Sequence, residues 1–514
     1  MRHATVCHHA FLHGRDESNV SVPASSHKPA CMSAKPSRDL TSGPIGRNLL
    51  LFALPVMAGN IAQSLNGSVN AVWVGRFLGE SALTATANAN NIMFFLLGSV
   101  FGIGMAASIL IGQAMGAKDI AQARKVMGTS ASFFIGLSVV IAVVGWFISR
   151  PVLHAMGTPA ASLPFAEAYL QVIFLAMPLL YAFAFFSAAL RGAGDARTPF
   201  RFLLLAVVLD IVLNPVLIFG LGPLPELGIA GAAWATLLSQ AIALVAMAFY
   251  LRHKRHVLWL GRKDLRLLKV DTVILRALIV KGVPMGLQMV LISLAMIAMM
   301  TLVNHYGTAT SAAYGAALQL WTYLQMPAMA IGAACSTIAA QNVGAGKWDR
   351  VEATARSGVL FNFILTGALI VPLILLDRWT LALFLPEGSV SLEIARHLNH
   401  IAVWSFLFFG VTFVISGVVR ATGAVLAPLL ILGFSLWGIR VPFAKLMEPV
   451  LGMDALWWSF PVSAVCAMLM SLAYYRWGGW REAHMLTPPR PEEVVIPAEV
   501  GSQPPAPVAE PVKA

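Results

Sequence analysis

Long apolar runs, separated by short polar stretches rich in glycine, proline and arginine, follow one another from residue 47 to residue 475. Twelve of them are long enough to cross ~30 Å of hydrocarbon as helices. They lie near residues 47–74, 84–115, 127–149, 165–190, 199–221 and 228–251, then 275–303, 312–340, 357–376, 395–419, 425–447 and 455–475. This pattern predicts an all-α polytopic membrane protein of twelve spans.

Composition agrees. The chain has 514 residues, 58% hydrophobic and 11% charged, with a mean hydropathy of +0.76. A soluble chain carries about 25% charged residues. With the N-terminus inside, the five inward loops hold 19 of the 35 Lys and Arg, the two tails ten and the outward loops six. This positive-inside bias predicts that both termini are cytoplasmic; a bacterial inner membrane is the expected location. The bias also accounts for the net charge of +12. Nucleic acid is not expected as a partner, because no basic face interleaved with aromatics occurs.

The chain repeats itself. Pro55 returns as Pro284 at an offset of 229, and Gln113 and Gly116 return as Gln341 and Gly344 at 228. Arg191 and Pro199 return as Arg420 and Pro428 at 229. Each half holds six spans, so the halves are parallel and related by an axis along the membrane normal. The expected division is an N-tail over 1–44, an N-lobe over 45–252, a basic linker over 253–274, a C-lobe over 275–480 and a Pro-rich tail over 481–514. Both tails read as disordered from composition. The five histidines of the N-tail, His3, His8, His9, His13 and His27, fit no standard metal spacing. Cys335 and Cys466 sit in apolar runs, where thiols behave as small hydrophobes. Two parallel bundles can rock about a central cleft, which points to transport by alternating access.

Of the 23 Asp and Glu residues, only Asp210 falls in the middle of a span. A carboxylate there costs at least ~2.5–3.5 kcal/mol, so it needs shielding and a role. Asn214 lies four residues on, hence on the same helix face. Pro215 frees the carbonyl one turn back. Carboxylate, carboxamides and free carbonyls are oxygen ligands for a hard cation. Burial also disfavours a charged carboxylate, which suits a proton carrier. H⁺ and Na⁺ therefore both fit as the coupling ion. Partners follow from helical spacing: Asn60, Gln63, Asn66 and Asn70 in the first span, Asn88 and Asn91 in the second, and Thr236, Ser239 and Gln240 in the sixth. The second half has no deep acid. Its polar residues are Gln288, Ser293, Gln319 and Gln325, among methionines that include Met285, Met289, Met296, Met299, Met300, Met326 and Met329. Flexible thioethers suit a cavity for varied apolar shapes.

GQAMGAKDIAQARK after span 2, LRGAGDARTPF after span 4, LNPVLIFG in span 5 and GIAGAAWATLLSQ opening span 6 carry a resemblance. Over roughly residues 45–480 the chain resembles the multidrug and toxic compound extrusion (MATE) family. The resemblance implies two six-helix lobes that export lipophilic cations in exchange for H⁺ or Na⁺. It places Pro55 at the bend of span 1, Gln63 on the cavity wall and Thr236 at a family threonine. The family's span 1 aspartate is here Asn70, and its Asn-x-x-x-Asp of span 5 is exchanged to Asp210 and Asn214. The glutamate that one branch carries in span 7 is absent. Ion coupling is thus expected at Asp210, Asn214, Asn70 and Thr236. The substrate cavity is expected at Pro55, Gln63, Asn66, Gln288 and Met289. A monomer with no cofactor and no structural metal is expected, beyond a transient Na⁺ at Asp210.

Three other classes fit less well. A major facilitator carrier would have G-x-x-x-D-R-x-G-R between spans 2 and 3. A flippase for a lipid-linked saccharide, which shares ancestry with the resembled family, would have arginines within its spans; here all read as lying in loops or at span ends. An intramembrane enzyme would need paired aspartates or a histidine cluster in the spans, and the sequence has neither.

Overall fold

The computed structural model describes residues 39–155, 157–159, 162–220 and 225–486. Six long helices build the N-lobe: α1 (Ile45–Leu78), α2 (Glu80–Gly116), α3 (Ile120–Ala155), α4 (Leu163–Gly192), α5 (Arg197–Phe219) and α6 (Gly228–His253). The C-lobe follows with α7 (Thr272–Asn304), α8 (Thr308–Gly344), α9 (Trp348–Leu375) and the short α10 (Asp377–Ala382). Then come α11 (Val390–Ala402), α12 (Ser405–Arg420), α13 (Leu426–Gly433), α14 (Val441–Leu446), the short α15 (Glu448–Leu451) and α16 (Asp454–Trp477). Among the described residues eleven segments are long and apolar enough to cross a membrane. The pair α11 and α12, bent by 45°, makes a twelfth.

Two spans of the second half are less regular than the apolar runs suggest. The tenth is broken between Ala402 and Ser405. The eleventh is continuous from Leu426 to Leu446 but carries a π-helical turn over Phe434–Arg440 between α13 and α14. Arg440 therefore lies six residues inside its span, a correction to the reading that set every arginine in a loop or at a span end. The C-lobe interior is also less sparing of polar groups than expected. Asn362, Thr366 and Asn399 are buried in α9 and α11, and Trp321 Nε1 donates to Asn399 Oδ1 at 3.1 Å. Such groups tie helices together where water is absent.

Within the N-lobe α5 packs on α6, and α4 on α2 and α3; within the C-lobe α8 packs on α9 and α12, and α12 on α16. The lobes meet where α2 lies against α7 and α8, and α1 against α8. Glycine sets how closely they approach. A Cβ on Gly116 would fall 1.8 Å from the carbonyl oxygen of Gln341, and one on Gly344 would fall 1.9 Å from that of Gln113. Midway along α2, a Cβ on Gly102 would meet the backbone of Gly286 at 2.1 Å. The repeated glutamines then bond reciprocally across the seam. Gln113 Nε2 donates to Ala421 O at 2.7 Å, and Gln341 Nε2 donates to Gly192 O at 3.0 Å. Each glutamine satisfies a carbonyl at the C-terminal end of the other lobe's fourth span, a group that the helix leaves without a partner.

The segments at this same end are ordered further than composition suggests. Asp39–Gly43, expected in a disordered tail, is held on the C-lobe. Gln341 Oε1 accepts from Leu40 N, Lys347 Nζ donates to Thr41 O at 2.9 Å, and Arg350 Nη2 donates to Gly43 O at 3.0 Å. Arg481–Leu486, also expected to be disordered, follows a buried Trp480, and Thr422 Oγ1 donates to Trp480 O at 2.7 Å. The remainder of both tails, with the five histidines, lies outside the described residues.

The linker is folded against α3. It forms a 3-10 turn over Arg262–Leu268 and is tied down by the Arg124–Asp264 ion pair at 2.6 Å. Asp271 then caps α7, accepting from Val273 N and Ile274 N, with Lys125 Nζ 2.6 Å away. The Lys125 ammonium and these backbone donors hold the Asp271 carboxyl below its ordinary value. A depressed carboxyl contributes stability above its ordinary value and loses it as the pH falls through the depressed one. Asp271→Ala is expected to cost about 1 kcal/mol, the usual loss of an N-cap, read as a lower Tm that narrows against wild type only in acid.

Candidate functional site

A cavity of about 290 Å³ opens inside the N-lobe around Asp210. Five helices form its wall, because α5 turns its Asp210–Asn214 face away from lipid and towards α1 and α6. Asp210 is 2% exposed and Asn214 fully buried. Asn66 Nδ2 donates to Asp210 Oδ2 at 2.8 Å, and Asn70 Nδ2 donates to the same oxygen at 3.0 Å. Thr236 Oγ1 donates to Oδ1 at 3.1 Å. Asn214 Nδ2 closes the network, donating to Asn70 Oδ1 at 2.6 Å and to Asp210 O at 2.8 Å.

The electrostatics are lopsided. Three neutral donors face the carboxylate, and no ion pair among the described residues includes Asp210. Nearby, Asn66 Oδ1, Asn214 Oδ1 and Gln240 Oε1 are buried without a donor. The donations of Asn66 and Asn214 fix which amide atom is oxygen. The site thus offers a negative charge and spare carbonyl oxygens, and no positive group answers them. A monovalent cation is the kind of group that would fit such a donor set. No cluster of three His, Cys, Asp or Glu able to hold a metal ion occurs among the described residues.

The residues singled out from the sequence divide. Asn66, Asn70, Asp210, Asn214 and Thr236 form one hydrogen-bonded group. Gln63, Ser239 and Gln240 line the same cavity. Pro55 lies inside α1 and is not among the cavity residues. Gln288 is 5% exposed, and its Oε1 accepts from Arg420 Nη1 at 2.8 Å within the C-lobe. Met289 faces α2 at Gly98. Met285, Met299 and Met326 are packed in the core. Thr86, Asn90, Met93 and Tyr169 also line the cavity and escaped the sequence reading. Thr86 and Asn90 are spaced i, i+4 and so share a helix face. That spacing was the available signal, but the stretch TATANANN carries polar residues on every face.

A family model described as MatE matches this chain twice, over residues 55–216 and 284–446. The chain belongs to the MatE family. Its relatives in that family include a probable multidrug resistance protein, YoeA, of Bacillus subtilis (strain 168), 38% identical over 84% of this chain and 94% of that protein. Another is an FAD transporter of Shewanella oneidensis, 26% identical over 86% of this chain and 96% of that protein. The fold matches a structure described as the outward-facing conformation of a multidrug resistance MATE family transporter, with a TM-score of 0.79 at 20% identity. That match covers 86% of this chain and 98% of the other. The two matched blocks of this MatE protein begin 229 residues apart and end 230 apart, the period already seen in its repeated motifs.

Proposed function

We propose that the protein is a secondary antiporter of the bacterial inner membrane that exports lipophilic, cationic small molecules in exchange for H⁺ or Na⁺. The observation that carries this reading is the buried, unpaired carboxylate of Asp210 facing a cavity with orphaned carbonyl oxygens. One carboxylate neutralises one positive charge at a time. A cationic substrate and the coupling ion therefore compete for it, and competition for a single site within two alternately open states is exchange. Relatives described as multidrug resistance and multidrug export proteins support export of varied small molecules.

The charge bias of the loops supports cytoplasmic termini. The end sealed by Gln113, Gln341 and the Asp39–Gly43 segment is then the cytoplasmic one, which makes the outer side the expected route of entry. The incoming ion then arrives from outside. Sodium would take Asp210 with the spare oxygens of Asn66 and Asn214, while a proton would sit on the carboxylate and turn one of its three donors away.

Proteoliposome counterflow of a fluorescent cation under an imposed pH gradient, against an imposed Na⁺ gradient, tests the reading. One gradient is expected to drive accumulation; if neither does, the antiport proposal fails. Asn70→Leu removes one donor to the charged carboxylate and is expected to lower the driven rate about tenfold in the same assay.

A further inference from the structure

We propose that the C-lobe carries an anion subsite at the Arg440 guanidinium, built on the register place that Asp210 holds in the N-lobe, and that it takes the carboxylate of an amphiphilic organic acid or zwitterion.

The register argument starts from Pro199 and Pro428, which correspond at offset 229. By that offset Asp210 would match Ile439. The α5 span is α-helical throughout, whereas its counterpart carries the π turn Phe434–Arg440. A π turn closes i→i+5 bonds and so takes up an extra residue, which moves Arg440 into the place of Asp210. The neighbouring span agrees. Tyr314 stands 228 residues after Thr86, the offset of Gln113 and Gln341, and Thr86 lines the Asp210 cavity. Tyr314 sits in the aromatic cluster around Arg440, 6.3 Å from Phe460 between ring centres.

The chemistry is reversed with the charge. Arg440 Nε donates to Ser463 Oγ at 2.9 Å, and the guanidinium carbon lies 4.5 Å over the Phe460 ring. None of the ion pairs among the described residues includes it. Trp457, stacked on Tyr314 and fully buried, has an indole N–H with no acceptor. Asn399 Nδ2 is likewise buried without an acceptor, its orientation fixed by the bond from Trp321. Around Asp210 the orphaned atoms are acceptors; in the aromatic cluster packed about Phe460 they are donors. A guanidinium inside a span with no acid to pair it is expensive and points to a site. With Nε engaged by Ser463, the two terminal nitrogens form an end-on fork, which matches the two oxygens of a carboxylate.

The test uses the full chain in detergent with two dyes: rhodamine B, a xanthylium cation with a free benzoate, and its ethyl ester, which keeps only the cation. Binding of both is read by fluorescence polarisation. Arg440→Gln is expected to lower the preference for acid over ester about tenfold. Arg440→Lys keeps the charge but not the fork, is expected to lower it about threefold, and carries the test should the glutamine variant misfold. An unchanged ratio, or equal loss of both dyes, overturns the proposal. Asp210→Asn weakens the ester as well, so a failure of the cation site is distinguishable from a failure of this one.

Discussion

Asp210→Asn is expected to lower gradient-driven efflux of a monovalent cationic dye about a hundredfold while leaving the fold intact. The replacement is isosteric, and the carboxamide can still bond Thr236 and Asn70. What disappears is the one negative charge of the cavity. Losing one partner of a buried charge pair costs 2–5 kcal/mol, and a hundredfold lies inside that range. Both branches of the cycle need this charge, since the outgoing cation and the incoming ion each rest on it. The measurement is dye efflux from inverted vesicles, with circular dichroism as the check on folding. Undiminished driven efflux would remove Asp210 from the coupling site.

Gly344→Ala is expected to impair exchange by a different route. Its Cβ would lie 1.9 Å from the carbonyl oxygen of Gln113, a backbone atom on another helix. No side chain can turn aside to relieve that clash, so α2 and α8 must separate at this end. The reciprocal bonds of Gln113 and Gln341 then lose their 2.7 and 3.0 Å geometry. The lobes themselves are not touched, so the cavity at Asp210 keeps its lining. Efflux should fall at least about tenfold while dye binding at equilibrium changes little. Hydrogen exchange should quicken at the Gly116 end of α2 and the Gly344 end of α8. Wild-type efflux with unchanged exchange would show that the close approach is not needed for the sealed state.

These two residues mark what the sequence made legible. A carboxylate inside an apolar run and a glutamine–glycine pair repeated at a fixed offset are visible because composition and period suffice to find them. The same holds for the lobes and for the helical stripe of Asn66 and Asn70. What needs the third dimension did not show. The reciprocity of Gln113 and Gln341 rests on bonds to Ala421 and Gly192, 308 and 149 residues away, through a seam that no local pattern announces. Thr86 and Asn90 do not stand out in the sequence, because a stretch polar on every face leaves the helix phase to tertiary packing; the side chains of Asn88 and Asn91 lie outside the described ones. Asp39–Gly43 reads as tail until Lys347 and Arg350 are seen to reach it. Arg440 reads as a span-end residue only if the run 425–447 is cut short at its first charge, whereas the helix continues six residues beyond it; the π turn before it is invisible to an α-helical count. Gln288 was expected to face substrate, but the side chain of Arg420 engages it first.

The central claim is that the dye and the coupling ion contend for a single negative charge. Equilibrium binding of a monovalent cationic dye, measured across a series of proton and Na⁺ concentrations in wild type and Asp210→Asn, tests it most directly. The apparent Kd of wild type should rise in proportion to the concentration of one of these ions, displacing dye one for one, and the variant should give a flat, weak Kd. Dye and ion bound together, or the same dependence in the variant, would contradict it.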